Sequence, residues 1–246
     1  MKKDLSTLTD EISEWIKKQV DKAGARGIVM GLSGGLDSAV VALLAKKSMG
    51  DRLLCLVMPC HSKDSDVQDA RFFANKSDIR SEDIDLTGLY DACLKILPGG
   101  GKIARANLKP RLRMLTLYYF ANALNYLVAG TGNRSEITMG YFTKYGDGGV
   151  DILPIGDLLK TDVKKLARHL GVPERIVNKA PTAGLWEGQT DEGEMGITYP
   201  ELDRIILAME SKNKGGICPE KFAAVSKRMR LSQHKRRGIP VFKVGG

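Results

Sequence analysis

The chain has 246 residues, 43% of them hydrophobic, and its 38 Lys and Arg against 29 Asp and Glu give a formal net charge of +9. That is enough for the core of one α/β domain spanning residues 1–246, and the positive charge suits a polyanionic ligand, either a nucleotide or RNA. No run of eighteen apolar residues and no Cys-x-x-Cys pair occurs, which argues against a membrane span, a zinc ribbon or a disulfide framework, so we expect a cytoplasmic protein with no membrane partner.

Two apolar runs on either side of a helical segment predict a βαβ unit. Residues 5–20 first carry apolar side chains at helical spacing, which predicts an amphipathic helix. Residues 27–30 then predict a buried strand, residues 39–47 an apolar helix, and residues 53–58 a second strand closed by Pro59. Such a unit joins parallel strands by a right-handed crossover, and ligands lie beyond the carboxyl ends of the strands.

The first strand is joined to its helix by a loop of small residues, Gly31-Leu32-Ser33-Gly34-Gly35-Leu36-Asp37-Ser38. A loop in this position places several backbone N–H groups at a helix N-terminus, where phosphate is favoured. Its glycines let the backbone approach a ligand closely, its serines add hydroxyl donors, and Asp37 adds a carboxylate suited to Mg²⁺. It fits neither the Walker pattern nor the dinucleotide glycine pattern. The alternative is a Gly-Ser turn that merely connects the two elements.

A second switch from strand to loop follows a long helical stretch. Residues 104–126 predict that helix, and residues 127–130 predict a strand that ends in Thr131 and Glu136. If this strand lies beside the first, Glu136 is opposite Asp37, and two carboxylates plus phosphate oxygens form a Mg²⁺ site. Taken alone, Glu136 is more often the first-turn acid of a helix.

The remaining elements are predicted from periodicity and from turn residues. We expect helices at 64–76, 88–96, 162–170 and around 222–229, a weak strand at 84–86, and a mobile loop at 181–195. Residues 227–237 are strongly basic, which indicates a solvated tail or an RNA contact. Cys60 falls at the functional edge of the sheet, where we expect it to line a pocket rather than to act as a nucleophile.

Residues 140–151 interleave four glycines with aromatic residues, a lysine and two acids, which predicts an ordered loop that faces a ligand. The segment closely resembles one in ammonia-dependent NAD synthetase, and the Ser-Gly-Gly-x-Asp-Ser loop resembles that of the N-type ATP pyrophosphatases, the wider family. The resemblance extends through residues 107–114, 179–183, 189–192 and 234–237. For the basic segment 227–237 it favours a tail that folds back over the dinucleotide, in the same subunit or from the partner subunit. It implies a Rossmann-like, doubly wound parallel sheet flanked by helices, the adenine nucleotide alpha hydrolase-like fold.

The same resemblance implies a set of site residues. Asp37, Glu136 and Lys160 would be catalytic, with Asp37 and Glu136 holding Mg²⁺. ATP would contact Gly31, Leu32, Ser33, Gly34, Gly35, Leu36, Asp37, Ser38, Thr131, Lys160 and Thr182. Deamido-NAD would contact Arg111, Lys144, Asp151, His234 and Lys235. Gly184 and residues 132–134 depart from the family pattern, so no contact is assigned to them.

The resemblance further implies the amidation of deamido-NAD by ammonia, with ATP cleaved to AMP and pyrophosphate through an adenylated intermediate, in a homodimer that binds no nucleic acid. The synthetase motifs occupy most of the chain and leave no room for a glutaminase domain, so free ammonia is the expected nitrogen donor. Two alternatives remain at this point. A tRNA-modifying ATP pyrophosphatase is favoured by the positive charge but lacks the expected paired cysteines, and a nucleotide-binding regulatory module would not need the three catalytic residues.

Overall fold

The computed structural model describes residues 4–211 and 215–244. Four parallel strands form one sheet in the order β3-β2-β1-β4, with β1 at Gly27–Gly31, β2 at Leu53–Val57, β3 at Ser81–Asp83 and β4 at Tyr126–Val128. The helices are α1 Leu5–Lys22, α2 Leu36–Met49, α3 Asp64–Lys76, α4 Thr87–Ile96, α5 Lys102–Leu124, α6 Arg134–Met139, α7 Lys160–His169, α8 Glu174–Val177, α9 Asp191–Met195, α10 Tyr199–Ser211, α11 Pro219–Leu231 and α12 Gln233–Arg236.

Helices cover both faces of the sheet, which confirms the predicted doubly wound α/β class. Alternate residues of β1 point to opposite sides: Ile28 and Met30 join a core with α1, α2, α3 and α7, whereas Val29 joins a core with α4 and α5. Because β1 is buried on both faces, its sequence is continuously apolar. A third apolar cluster packs α6, α10 and α11 together beside the sheet.

The carboxyl ends of β1 and β4 lie side by side, since Val29 pairs with Val128 in parallel register. The loops that follow these strands therefore leave the sheet at the same edge, as the sequence predicted. A bridge between Ala129 and Ile152 extends the sheet beyond β4 and anchors the end of the 140–151 loop near that edge.

The predicted third strand is displaced by three residues. We expected residues 84–86, but the hydrogen-bonded strand is β3, because Cys55 pairs with Ser81 and Val57 with Asp83. Residues 84–86 instead run past the end of β2, where the Ile84 and Leu86 side chains pack into the α4–α5 core. Their apolar character reflects this packing and not sheet pairing.

Several helix boundaries also differ from the prediction. Helix α5 begins two residues earlier than expected, at Lys102. Pro110 lies well inside this helix. The predicted loop at 181–195 ends in the short helix α9, with the Thr190 hydroxyl accepting from the Gly193 N–H at its start. Helix α10 was not predicted, although its buried residues follow helical spacing. No described helix combines the length and the apolar composition that a membrane crossing requires.

Candidate active site

The loop between β1 and α2 is held in a tight turn by glycine at its centre. Gly34 has a positive φ of 73°, and a Cβ atom there would lie 2.3 Å from the Asp66 carbonyl oxygen. A larger residue would therefore separate the loop from α3, and it would also strain the backbone. Position 34 requires glycine for both reasons.

Two hydroxyl groups close the loop on itself. The Ser33 backbone N–H donates to the Ser38 hydroxyl at 3.2 Å, and the Ser33 and Ser38 hydroxyls lie 3.0 Å apart. The Gly35 N–H donates to the Ser33 hydroxyl at 3.3 Å. The serines therefore shape the turn that presents the start of α2, in addition to any contact they make with a ligand.

Lys179 fastens this loop to the neighbouring helix. Its ammonium group donates to the Gly34 carbonyl oxygen at 3.4 Å and pairs with Asp66 at 2.6 Å and Asp69 at 2.8 Å. Lys179 precedes the 180–190 segment, so one side chain ties the phosphate loop, α3 and that segment together.

The centre of the site is a nearly buried ionic cluster. The Lys160 ammonium, at the start of α7, contacts an Asp37 carboxylate oxygen and lies 3.1 Å from Glu136 Oε1. The two carboxylates come from the first turns of α2 and α6, the helices that follow β1 and β4, so the geometric prediction that Glu136 lies opposite Asp37 is confirmed. Three residues that are far apart in the sequence meet because parallel strands end at one edge.

Asn133 links the two acids directly. Its side-chain oxygen accepts from the Glu136 backbone N–H at 3.1 Å, and the Glu136 carboxylate accepts from the Asn133 N–H at 3.2 Å, which forms a capping box on α6. Its amide nitrogen then donates to Asp37 Oδ1 at 3.0 Å. No role was predicted for Asn133, although the Asn-x-x-Glu spacing indicates a helix N-cap.

Burial and the nearby opposite charges have opposing effects on the pKa values of Glu136 and Lys160. Burial raises the pKa of Glu136 to about 7, and the nearby Asp37 charge adds to this against the opposing effect of Lys160. Burial alone would lower the pKa of Lys160, but the charges of Asp37 and Glu136 outweigh it and raise that pKa. Lys160 is therefore a permanent cation in this pocket.

Ser135 and Asp203 support Lys160, and neither contact was predicted from the sequence. The Ser135 hydroxyl donates to buried Asp203 on α10 and accepts from the Lys160 backbone N–H at 3.0 Å. Asp203 also accepts from the Thr161 N–H at 2.9 Å. Asp203 thus accepts a hydrogen bond from a backbone N–H in the first turn of α7, whose N-cap residue makes no side-chain hydrogen bond.

Two cavities meet at the phosphate loop, and both contain predicted ATP residues. The larger has a volume of about 540 Å³ and is lined by Gly31, Leu32, Ser33, Ser38 and Thr131, together with Met58, Arg113, Phe142 and Lys235. The smaller has a volume of about 360 Å³ and is lined by Ser33, Gly35, Leu36, Asp37, Glu136, Lys160, Thr182 and Asp191. Gly34 lines neither cavity because it packs against α3.

A family model described as NAD synthase matches residues 8–239. The NH(3)-dependent NAD(+) synthetase of Carboxydothermus hydrogenoformans is 50% identical over 234 residues, which cover 93% of this chain and 94% of that relative. The chain belongs to the NAD synthase family. This assignment does not favour the tRNA-modifying alternative.

Solved structures agree with membership of the NAD synthase family. The NMN synthetase of Francisella tularensis superposes with a TM-score of 0.91 at 36% identity, covering 98% of this chain and all of that one. The NH3-dependent NAD synthetase of Campylobacter jejuni, in complex with nitrate, gives 0.86 at 27% identity with the same coverage. The adenine nucleotide alpha hydrolase-like fold expected from the sequence is therefore confirmed.

The residues that the NAD synthase resemblance assigned to deamido-NAD are more dispersed than the ATP set. Of the five, only Lys235 lines the larger cavity. Arg111 donates to the Lys144 carbonyl oxygen at 3.3 Å, and the Lys144 ammonium donates to the His234 carbonyl oxygen at 2.9 Å. Asp151 accepts from the Tyr118 hydroxyl and from the Val128 N–H, each at 2.8 Å, and so also fixes the end of β4.

The basic C-terminal segment folds back on the same chain. Lys235 donates to the carbonyl oxygens of Gly140 at 2.8 Å and Phe142 at 2.7 Å, and Arg236 donates to Thr138 at 2.8 Å. Gly140 permits this approach, because a Cβ atom there would lie 2.2 Å from the Ser232 Cβ. The segment is thus packed against the aromatic-glycine loop and is not a solvated tail.

Cys60 is fully buried next to the larger cavity and does not line it. Burial raises the pKa of its thiol, against the opposing effects of Arg113 and Lys109. A thiol in this state is a weak nucleophile, which agrees with the absence of a catalytic cysteine from the predicted set.

The donor set of the cluster fits a hard divalent cation. Asp37 and Glu136 present carboxylate oxygens to one point, and the Lys160 ammonium shows that a cation is accommodated between them. Oxygen ligands of this kind suit Mg²⁺, which takes one or two carboxylates together with substrate phosphates.

Proposed function

We propose that this chain amidates deamido-NAD with free ammonia and cleaves ATP to AMP and pyrophosphate. In the first step the nicotinate carboxylate attacks the α-phosphorus of ATP, and pyrophosphate leaves with the electron pair of the broken P–O bond. In the second step ammonia attacks the carbonyl carbon of the acyl-adenylate, AMP leaves, and the nitrogen releases its extra proton to solvent. Adenylation is needed because a carboxylate is a poor acyl donor.

The meeting of Asp37, Glu136 and Lys160 beside the phosphate loop carries this proposal. Backbone N–H groups at the start of α2 would bind phosphate oxygens, and the permanent charge of Lys160 would stabilise pyrophosphate as it departs. Mg²⁺ held by Asp37 and Glu136 would neutralise the triphosphate charge. The protein's role is positioning and charge neutralisation, and no side chain acts as a covalent nucleophile.

We place deamido-NAD in the larger cavity. Lys235 would contact its diphosphate, and the ring of Phe142, which also lines the cavity, offers an apolar surface for a heterocycle. Four further residues do not line this cavity, so their contact with deamido-NAD would require the segments that carry them to move: Arg111, Lys144, Asp151 and His234. Thr131 lines the larger cavity and Thr182 lines the smaller one, which suits an ATP molecule that extends across both.

An ammonium-dependent assay tests the reaction. Purified protein with deamido-NAD, ATP, Mg²⁺ and ammonium should form NAD and AMP in equal amounts, and omission of ammonium should abolish NAD. Glutamine at the same concentration should replace ammonium poorly, because we propose that residues 1–246 form one synthetase domain without a glutaminase. Efficient use of glutamine by the isolated chain would contradict the ammonia assignment.

A second candidate substrate is the mononucleotide, nicotinate mononucleotide. The observation in its favour is the TM-score of 0.91 and 36% identity with an NMN synthetase, both higher than the values for the Campylobacter NAD synthetase. Measurement of kcat/KM for both acids under one set of conditions separates the candidates. We expect deamido-NAD to be preferred, and a higher kcat/KM for the mononucleotide would reassign the substrate.

We further propose that the active form is a cytoplasmic homodimer. On α5 the exposed side chains of Leu115 and Tyr119, 64% and 71% accessible, follow Arg111 at intervals of four residues and form one apolar helix face suited to self-association. The free cysteines fit a reducing compartment. Light scattering should give the mass of two chains, and Leu115→Glu should reduce it to one.

A further inference from the structure

A buried carboxylate in the smaller cavity has one oxygen without a partner. Asp191, at the start of α9, is 5% exposed and lines this cavity. Its Oδ2 atom accepts from the Tyr199 hydroxyl at 2.9 Å, whereas among the described residues nothing donates to its buried Oδ1 atom. An unsatisfied buried carboxylate oxygen is costly, so its presence calls for a ligand-based explanation.

The neighbouring phenols do not supply the missing donor. The Tyr141 hydroxyl adjoins Asp191, but its single proton is donated to Glu194. The Tyr199 hydroxyl donates its proton to Asp191 Oδ2, and the Tyr199 hydroxyl oxygen also lies 3.4 Å from Glu136 Oε1. Tyr199 therefore joins Asp191 to Glu136 and leaves Oδ1 free.

The charges around this point are unbalanced. Five carboxylates line the smaller cavity, those of Asp37, Asp66, Glu136, Asp191 and Glu192, and in their ionised forms they exceed its three lysines, Lys160, Lys164 and Lys179, by two charges. Lys179 lines the same cavity but is paired with two carboxylates of α3. The excess of two negative charges equals the charge of one divalent cation.

We propose that Asp191 is the third carboxylate of the cation site, and that its Oδ1 atom accepts a hydrogen bond from the water shell of the Mg²⁺ held by Asp37 and Glu136. The proposal rests on the cation of the proposed function. Among the described residues no three acidic, His or Cys side chains already surround one point as direct ligands. Mg²⁺ keeps several of its waters in protein sites, so a contact through water is the expected form.

Tyr199 gives Asp191 a fixed position in this arrangement. Its hydroxyl donates to Oδ2 and lies near Glu136, and its ring centroid lies 5.0 Å from the Lys160 ammonium. Asp191 is also joined to the 181–190 segment, because its N–H donates to the Pro181 carbonyl oxygen at 3.1 Å. Binding of the cation would therefore favour one position of that segment over the smaller cavity. Asp191 is a positioning residue by this account.

Metal binding, measured without turnover, tests the proposal. Mn²⁺ replaces Mg²⁺ in an electron paramagnetic resonance titration of the full chain with α,β-methylene-ATP, which cannot be cleaved at the relevant bond. Asp191→Asn should weaken Mn²⁺ binding about tenfold, which is the usual scale for loss of an outer-shell partner. Tyr199→Phe should weaken it by a smaller factor. Glu187 is exposed and lines neither cavity, so Glu187→Gln is the matched control for loss of one negative charge. This variant should bind Mn²⁺ as the wild type does.

Thermal unfolding separates this role from a merely structural one. Without metal, Asp191→Asn should melt no lower than the wild type, because it removes an uncompensated buried charge, whereas the increase in Tm on adding Mg²⁺ and the ATP analogue should shrink. A lower Tm without metal and an unchanged Mn²⁺ affinity would each overturn the proposal. Both measurements are made without amide formation. If Mn²⁺ binds as expected but no NAD forms, the proposed function is wrong while the role of Asp191 stands.

Discussion

Two lysines on opposite sides of the phosphate loop are held in contrasting ways. Lys160 lies between two carboxylates, so its charge is more than neutralised by its own protein. Lys235 donates to the neutral carbonyl oxygens of Gly140 and Phe142, so its charge is not cancelled by either partner. Lys160 is buried, whereas Lys235 is partly buried and has Arg228 and Arg236 near it as well as the acid Asp147.

This contrast shows how one site can bind a cation and polyanions together. The acidic side, around Lys160, can accept a divalent ion without further negative partners. The basic side, where Arg228 and Lys235 line the larger cavity together with the acids Asp147 and Glu194, offers cationic groups to phosphate. A net charge of +9 could not predict this, because the charge is separated over a short distance within one site.

The largest expected effect comes from removing a carboxylate from the acidic side. Asp37→Asn should lower kcat about 10²–10³-fold, because the triphosphate would lose one ligand of its neutralising cation. Initial rates of NAD formation at saturating substrates measure this. Asp64→Asn, an exposed acid at the start of α3, should keep the wild-type kcat. A small effect of Asp37→Asn would mean that the acidic side does not bind the cation.

Lys160→Met tests whether this lysine balances the acidic side. Loss of the ammonium leaves two carboxylates facing each other with little exposure, which should lower the free energy of unfolding by about 3 kcal/mol. Mg²⁺ should restore part of the loss, and should do so more than it stabilises the wild type. Urea unfolding with and without Mg²⁺ measures both quantities. The comparison would fail if Mg²⁺ had no larger effect on the variant.

Ser135→Ala examines the support beneath the acidic side. It removes a donor from buried Asp203 and an acceptor from the Lys160 N–H, so unfolding should become easier by about 2 kcal/mol. Ser226→Ala is the matched control, since that hydroxyl only donates to a carbonyl oxygen in its own helix and its loss should be nearly neutral. Equal effects of the two changes would show that the Asp203 contact is unimportant.

The smallest effect is expected on the basic side. Lys235→Met should raise the KM for deamido-NAD about tenfold with little change in kcat, since one charge-assisted contact of roughly 1.4 kcal/mol would be lost. The salt dependence of KM should also weaken. Lys227→Met, an exposed change in α11, should leave KM unaltered. A fall in kcat without a change in KM would contradict the assignment of Lys235 to substrate binding.

Most of the fold was predictable because strand and helix periods were strong where burial was continuous. Strands β1 and β2 are apolar throughout, and α2 and α5 are long enough for their patterns to be clear. The prediction failed where packing and not pairing decided the structure: Ile84 and Leu86 are buried by α4 and α5 beyond the end of β2. Helix α10 was also predictable, because its apolar residues recur at helical spacing and a proline lies in its first turn.

The candidate site was predicted in part. Asp37, Glu136 and Lys160 were predicted from the sequence, and they meet in the structure. Asn133 and Asp203 were not named, because each acts through a contact with a residue distant in sequence or through a cap that only the folded chain completes.

The sequence by itself determined the parallel α/β layout, the glycine-bearing phosphate loop and the family, since these depend on local patterns and on motifs of fixed spacing. Only the tertiary structure decided which side chains share a partner: that one ammonium lies between two acids, that Tyr199 connects Glu136 to Asp191, and that basic residues near the C-terminus hold the aromatic-glycine loop. Such contacts join segments separated by many residues, and their geometry is set by how helices pack on the sheet.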